Sequence, residues 1–240
     1  MIIEIVAQSP DDALAAEQAG ADRLELVSAL SLGGLTPSFG CLEMILAECG
    51  LPVVAMLRPR SGGFAYGEGE VAAMVGDGER FLASGAAGLV FGVLDGGGRL
   101  DERANARLVG LGGEAVFHRA FDLLEDPLDA LERVIDLGFR RILTSGGRGA
   151  AEDNLDALKR LVDAAGERIE ILVGGGVRPS NLEAIVWRTG VRQVHMAALE
   201  WAEDASAKGA LFNGPSHPED RYARVAASVV AEARRVADRA

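Results

Sequence analysis

The chain has 240 residues, 49% of them hydrophobic but only 5% aromatic, so we expect a large core built from aliphatic side chains. Its formal net charge of −12 argues against nucleic acid or an anionic membrane as a partner, because both require a basic surface. A small anionic ligand held in a local basic pocket remains compatible with this charge.

The N-terminal stretch MIIEIVAQSPDD has no basic segment and no long apolar segment, so it predicts a first strand rather than a signal peptide. No apolar run approaches the roughly 18 residues of a membrane span. Cys41 and Cys49 lie in one predicted helix about 12 Å apart, too far for a disulfide. We expect both thiols to pack in the core of a protein from the reducing cytoplasm.

Eight short apolar runs predict β-strands, and amphipathic segments between them predict helices. The predicted strands are residues 2–8, 23–28, 53–59, 88–94, 115–120, 141–146, 169–175 and 193–198.

Proline just inside the start and glycine just past the end mark several helices. The predicted limits are Ser9 and Pro10 to Gly20, Thr36 and Pro37 to Gly50, Asp126 and Pro127 to Gly138, and Pro179 to Gly190. The segment at about 101–110 is the weakest helix, and 218–240 is predicted as one further helix that covers the barrel or meets another subunit.

A repeated pattern supports this order: a helix-closing glycine, three residues, then a strand. It occurs at Gly20, Gly85, Gly138 and Gly190. Eight βα units in about 200 residues predict an α/β fold, a (β/α)8 or TIM barrel. We expect one domain over 1–240, with the barrel at about 1–200 and a C-terminal helical extension at about 218–240. A doubly wound open sheet is the alternative.

Alternation along the strands predicts which side chains face the barrel interior. Ionisable residues occupy inward positions near the C-terminal strand ends, where barrels of this type carry their active sites. They are Glu4, Glu25, Arg58, Arg60, His118, Asp122 and His195. Because a buried unpaired carboxylate is costly, we expect Glu4 and Glu25 to share Arg58 or Arg119.

Two interpretations of this group stay open. It is either an internal ion network that fixes the barrel register, or a site in which His118 gives or takes a proton, the carboxylates orient it and Arg58 holds an anionic group.

Glycines after strand seven, Gly174, Gly175 and Gly176, could either expose backbone N–H groups to a phosphate or simply allow a tight turn. Ser145, in the loop after strand six, is a weaker candidate for binding an oxyanion. The stretch RPRSGGF at 58–64 could form a mobile lid, and His217 is expected to be exposed. No CxxC or HxxxH spacing is present, so the sequence assigns no metal ligands.

Five stretches in this order resemble the CutC family of copper homeostasis proteins. They are RLELVSALSLGGLTPS, MLRPRSGGFAY, VFHRAFD, RILTSGG and VGGGVRPSNL. The resemblance extends to about residue 198 and implies a cytoplasmic (β/α)8 barrel, often a homodimer, with copper ion binding and a role in copper tolerance. The family's recurring polar positions correspond to Glu4, Glu25, Arg58, Arg60, His118, Arg119, Asp122 and Ser145.

The chain departs from some members of that family, because the first two strands end in Val6-Ala7-Gln8 and Val27-Ser28-Ala29, without a thiol. Cu(I) prefers sulfur ligands. The only sulfur atoms expected near the barrel mouth are those of Met56 and Met196.

Two functions therefore stand. One is copper homeostasis, with Cu(I) as the bound metal ion. The other is an enzyme, a lyase, isomerase or hydrolase, doing acid–base chemistry on a small anionic or sugar-like substrate. Its candidate catalytic residues are Glu4, Glu25, Arg58, His118 and Asp122. Its candidate ligand-binding residues are Arg60, Arg119, Ser145, Gly174, Gly175, Gly176 and His195.

Overall fold

The computed structural model describes residues 1–206 and 220–239. Eight parallel strands pair in sequence order, and the first also pairs with the eighth, so the sheet is a closed barrel. The strands are β1 Ile2–Ala7, β2 Arg23–Leu26, β3 Val53–Met56, β4 Gly88–Phe91, β5 Glu114–Phe117, β6 Arg141–Thr144, β7 Glu170–Val173 and β8 Gln193–Met196. The predicted (β/α)8 barrel is confirmed.

A helix follows each strand of the barrel, the eighth one only after a two-stranded hairpin. The helices are α1 Pro10–Gln18, α2 Phe39–Glu48, α3 Glu68–Ala83, α4 Glu102–Val109, α5 Pro127–Asp136, α6 Leu155–Ala165, α7 Pro179–Thr189 and α8 Ala227–Ala237. The predicted caps of α1 and α5 are confirmed: the side chains of Ser9 and Asp126 accept backbone N–H groups of the first helical turn. None of the described helices is both long and apolar enough to cross a bilayer.

The predicted start of α2 at Thr36 was wrong by two residues. Ser38 caps this helix by accepting the N–H of Cys41. Thr36 instead exchanges hydrogen bonds with Arg58: its Oγ1 accepts the N–H of Arg58, and its own N–H donates to the Arg58 carbonyl. The loop after β2 is thereby joined to the end of β3.

The repeated glycines are explained by backbone conformation. Gly20, Gly85, Gly138 and Gly190 all have positive φ, between 73° and 105°. Because only glycine adopts this conformation readily, it ends each helix and redirects the chain into the next strand.

The prediction of one helix over 218–240 was wrong in its first part. Arg221–Val225 forms a strand, β10, which pairs antiparallel with β9, Leu199–Glu203. The buried carboxylate of Asp12 accepts the N–H of Val225 and so ties this hairpin to α1. The predicted C-terminal helix is present as α8 and packs against α1 and α7. Residues 218–219 of the predicted helix, and His217, lie outside the described residues.

Two apolar layers follow from the strand alternation. Ile3, Ile5 and Phe117 belong to the outer layer between strands and helices, as predicted. The inner layer fills the barrel and consists of Val6, Val27, Val54, Met56, Val90, Val116, Leu143 and Leu172. Cys41 is half-buried and Cys49 is buried, and neither forms a disulfide in the described part of the chain.

Candidate functional site at the barrel mouth

A cavity of about 400 Å³ opens at the C-terminal ends of the strands, where (β/α)8 barrels carry their active sites. Most of its wall is aliphatic or aromatic. Its ionisable lining residues are Glu25, Arg58, His118, Arg119 and His195. Its apolar lining includes Val6, Val27, Leu30, Met56, Phe64, Leu143, Val177 and Met196.

One side of the cavity is formed by an imidazole between two buried carboxyl groups. The Nδ1 atom of His195 lies 2.8 Å from Oε1 of Glu4, and its Nε2 atom lies 3.8 Å from Oε2 of Glu25. Glu4 also accepts a hydrogen bond from Nε of Arg23. The second oxygen of Glu25, Oε1, is buried and has no hydrogen-bond partner within the described residues.

Burial and neighbouring charges give the carboxyl groups of Glu4 and Glu25 different pKa values. Burial would raise the pKa of Glu4, but the hydrogen bond from His195 and the charge of Arg23 outweigh it and lower this pKa to about 2. Burial raises the pKa of Glu25 to about 7, because its contacts with positive charge are weaker. Burial opposes the charged form of His195, but Glu25 and Glu4 outweigh it and raise its pKa. Glu25 can therefore change its protonation state near neutral pH.

His118 lies at the end of β5 with its two ring nitrogens in different surroundings. Its Nδ1 atom accepts the N–H of Ala120 at 3.2 Å. Its ring lies against Phe64, with centroids 4.6 Å apart. The Nε2 atom is buried without a hydrogen-bond partner among the described residues. Burial, together with the charge of Arg58, lowers the pKa of His118 to about 3, so the ring is neutral.

The prediction that Glu4 and Glu25 share Arg58 or Arg119 was wrong. Arg58 donates from Nη1 to the carbonyls of Leu32 and Gly34 and from Nη2 to that of Gly62. This guanidinium is therefore bound by the loops after β2 and β3 and not by the two carboxylates. Its buried Nε–H has no partner in the described part of the chain.

Arg119 and Asp122 form a separate group. Arg119 donates from Nε to Asp122 at 2.7 Å and from Nη2 to the hydroxyl of Ser145 at 2.8 Å. Asp122 also accepts the hydroxyl of Thr144 and the N–H of Ser145. Arg119 lines the cavity. Asp122 and Ser145 do not line it, but they bind the guanidinium of Arg119 and fix its position.

Asp122 was expected on the same side as His118, and this was wrong. The strand ends at Phe117, and Arg119–Leu123 forms a 3-10 helix, so strand alternation no longer applies.

The glycine loop and Arg60 differ in their relation to the cavity. Gly175 and Gly176 line it and have φ of +93° and +74°. Gly174 does not line it, and a Cβ atom there would come within 2.6 Å of Leu143. The prediction that Arg60 faces the barrel interior was wrong: it is exposed on the loop after β3, where it pairs with Glu70.

Sequence reasoning missed a polar layer below the cavity. Arg23 donates to Gln193 at 2.9 Å, and Gln193 donates to Glu170 at 2.7 Å. Arg141 bonds both Gln193 and Glu170. The signal was available, since Arg23 and Gln193 share the inward parity of Glu25 and His195. This layer is distinct from the group of ionisable residues for which an internal ion network was one interpretation.

Comparison with known proteins identifies relatives over most of the chain. The model of the CutC family matches residues 1–200. A CutC family protein of Treponema denticola is 44% identical over 229 residues, which cover 93% of each chain. A human protein named copper homeostasis protein cutC homolog is 43% identical over 147 residues, 60% of this chain and 54% of the human one. The chain thus matches about half the length of this human relative.

Solved structures agree with the fold. A CutC structure from Streptococcus agalactiae superposes with a TM-score of 0.78 at 35% identity and covers 82% of this chain and 98% of its own. Phosphoribosylanthranilate isomerase of Pyrococcus furiosus, at 14% identity and a TM-score of 0.59 over both whole chains, shares the fold alone. The family match and the identity to the Treponema protein together show that this chain belongs to the CutC family.

Proposed function

We propose that the barrel mouth binds a small anionic metabolite and performs acid–base chemistry on it. The observation that carries this proposal is the carboxyl group of Glu25, which lines the cavity, is 4% exposed and has one oxygen without a partner in the described residues. A buried polar atom left unpaired costs free energy. Its retention at a cavity wall is expected where a ligand supplies the missing hydrogen bond.

The neighbours of Glu25 suit proton transfer. His195 lies beside it and can exchange a proton with it, while Glu4 holds the other ring nitrogen through a short hydrogen bond. The hydrogen bond with His195 and the charge of Arg23 together keep Glu4 ionised, so Glu4 remains an acceptor for His195. The acid–base role is thus assigned to Glu25 and His195, and the orienting role to Glu4.

The anionic end of the substrate is assigned to the positively charged and N–H-donating groups of the cavity. Arg119 lines the cavity, and its Nη1 group takes no part in the bonds to Asp122 and Ser145. The adjacent Gly175 and Gly176 have no side chain that would keep an anion from their backbone. Arginine and exposed backbone N–H groups are the usual partners of phosphate and carboxylate.

The experiment is a melting-temperature screen of the purified protein against phosphorylated and sugar-like metabolites. We expect a subset of anions to raise the melting temperature, and Arg119→Gln to abolish the shift. The matched control is Arg188→Gln, which removes an exposed arginine paired with Asp156 on the outer surface. No shift with any anion, or an undiminished shift in Arg119→Gln, would contradict the proposal.

Copper binding is the second candidate, because curated relatives are named copper homeostasis proteins. Cys41 and Cys49 do not line the cavity, and the one compact set of three possible metal ligands in the described residues is Glu4, Glu25 and His195. That set is rich in oxygen and does not fit Cu(I), which prefers sulfur. The observation in favour is that the thioethers of Met56 and Met196 line the same cavity.

An anaerobic titration of Cu(I) against a chromophoric chelator tests this candidate. Stoichiometric competition that is lost in Met56→Leu/Met196→Leu would support a thioether site. Loss in Cys41→Ser/Cys49→Ser instead would assign copper to the thiols of α2. If the protein does not compete with the chelator, it does not bind copper tightly.

We further propose that the protein is one domain and works as a cytoplasmic homodimer. The family resemblance supports this, and Trp187, 82% exposed on α7, is an apolar side chain that a second copy could cover. Light scattering after size-exclusion chromatography measures the mass directly. A mass near the 25.1 kDa of one chain would contradict the dimer.

A further inference from the structure

We propose that the substrate is a small enolisable carbonyl compound: His118 Nε2–H donates to its carbonyl oxygen while Glu25 removes a proton from the adjacent carbon. This inference rests on the proposed acid–base function and names its substrate class. It is carried by two buried polar atoms without partners in the described chain, Nε2 of His118 and Oε1 of Glu25, whose residues line one cavity.

The imidazole of His118 is fixed so that one nitrogen remains available. Its Nδ1 edge lies against the wall, where it accepts the Ala120 N–H and leaves no space for a side chain at Gly92. A Cβ atom on Gly92 would lie 2.7 Å from Nδ1. Phe64 covers one face of the ring. The opposite edge, which carries Nε2, is therefore the part of the ring that a ligand can reach.

The hydrogen-bond pattern also settles the role of this nitrogen. Because Nδ1 accepts a backbone N–H, the single proton of the neutral ring is on Nε2. The nearby guanidinium of Arg58 disfavours a second proton. His118 is consequently a hydrogen-bond donor and not a base. A neutral imidazole donor suits an oxygen that gains negative charge during the reaction.

Glu25 supplies the base. In its ionised form it takes the proton from carbon, the C–H electron pair forms the carbon–carbon double bond, and the carbonyl π electrons move to the oxygen that faces His118. Glu25 then returns a proton to the same carbon while the electron pair on oxygen re-forms the carbonyl group, which completes the exchange without any further reactant. His195, beside Glu25, can exchange this proton with it.

The remaining wall argues for a compact substrate with few hydroxyl groups. Val27, Met56, Leu143 and Met196 line the cavity and offer no strong hydrogen-bond partner. A polyhydroxylated sugar would leave several hydroxyls unpaired against this wall. A short carbonyl compound with one phosphate or carboxylate would place its charge at Arg119 and its reactive carbons between Glu25 and His118.

The test is proton exchange, followed by proton NMR in D2O with three probes: pyruvate, hydroxypyruvate and dihydroxyacetone phosphate. We expect the intact protein to exchange the protons next to the carbonyl of at least one probe faster than buffer. Glu25→Gln should slow this exchange about 100-fold or more. His118→Phe, which keeps the ring but removes the donor, should slow it at least about tenfold, and His118→Gln, which keeps an N–H donor, should recover part of the rate. Glu132→Gln, on the exposed face of α5, is the matched control and should leave the rate unchanged.

The outcomes separate this inference from the proposed function. Exchange with none of the three probes overturns the inference, whereas anions that still raise the melting temperature through Arg119 leave the proposed function intact. Exchange that persists in Glu25→Gln overturns the role of the base. Equal rates in His118→Phe and wild type overturn the role of the donor. If His118→Phe does not fold, nitrogen NMR of the wild-type ring decides, since a proton on Nδ1 or a charged ring at pH 6 would contradict the proposal.

Discussion

Glu25 and His195 face each other across 3.8 Å at the barrel mouth, on strands β2 and β8, which are separated only by β1. Glu25 is buried and His195 is partly buried, and of the two only His195 has a short hydrogen bond, to Glu4. Without a short hydrogen bond to His195, the carboxyl group of Glu25 can gain or lose its proton readily. A carboxyl group in that position is suited to proton transfer and costs stability once it is ionised.

The first prediction concerns the pH dependence of folding in Glu25→Gln. The pKa of Glu25 is raised by burial to about 7 in the folded chain, so the native state keeps a proton that the unfolded chain releases above its ordinary pKa near 4.5. The contribution of Glu25 to wild-type stability must therefore fall as the pH rises from about 4.5 to 7. The raised pKa of His195 acts in the same direction, since its contribution is lost as the pH rises through its folded value.

We expect the free energy of unfolding of Glu25→Gln, relative to wild type, to increase between pH 5 and pH 8. Urea unfolding at four pH values across this interval measures it. The control is Glu132→Gln, because the hydrogen bond from Arg168 lowers the pKa of Glu132 and confines its effect to pH below about 4.5. A difference for Glu25→Gln that stays constant with pH would contradict the raised pKa.

The second prediction concerns the buried pair of Arg23 and Glu4. Arg23→Met removes the cation and leaves a buried carboxylate with only His195 as a partner. We expect the free energy of unfolding to fall by about 3–5 kcal/mol, as for other buried pairs that lose one partner. Adding Glu4→Gln should recover part of the loss, because the carboxylate that lost its cation is then removed as well.

Arg168→Met provides the comparison for this pair. Arg168 binds Glu132 with two hydrogen bonds, but both side chains are about half exposed, so its loss should cost much less stability than the loss of Arg23. Equal losses in Arg23→Met and Arg168→Met, measured by urea unfolding, would show that burial adds nothing to the Arg23 pair.

The fold could be predicted because its signals are local. Each strand is a short apolar run, and Gly20, Gly85, Gly138 and Gly190 mark the turns that precede alternate strands with a conformation that other residues avoid. Period-two alternation then placed Glu4, Glu25, His118 and His195 on the inner side. These inferences need no knowledge of how the loops fold.

The partners of the charged residues could not be predicted in the same way. Strand alternation predicts that the Arg58 side chain points to the barrel interior. Its guanidinium, however, donates to the carbonyls of Leu32, Gly34 and Gly62, whose positions depend on loop geometry. Asp122 lies within the 3-10 helix Arg119–Leu123, where strand alternation no longer applies. The β10 strand was missed because, among the described residues, it pairs with β9 alone, and it has no apolar run of its own.

The third prediction concerns the attachment of that hairpin. Asp12 accepts the N–H of Val225 at 2.7 Å and that of Gln8 at 3.0 Å. Asp12→Ala leaves both N–H groups without their acceptor and should lower the free energy of unfolding by about 1–3 kcal/mol. Asp11→Ala, one residue earlier on the exposed side of α1, should change it by less than about 0.5 kcal/mol. Limited proteolysis should cleave the hairpin faster in Asp12→Ala, and an unchanged rate would show that Asp12 does not hold it.

The last prediction tests the fixed position of His118 through its neighbour Gly92. In Gly92→Ala the new methyl group would lie 2.7 Å from Nδ1 and 2.9 Å from Cε1 of the imidazole, closer than carbon atoms can approach. The ring must move, which should cost about 1–3 kcal/mol of stability and misplace the Nε2–H donor. Gly96→Ala, where a Cβ atom meets nothing within 4 Å, is the control and should change neither property. Combining Gly92→Ala with His118→Ala makes room for the methyl group, so stability should partly return while proton exchange stays slow. Proton exchange at the wild-type rate in Gly92→Ala, measured with the same three probes, would show that the position of His118 does not matter for the chemistry.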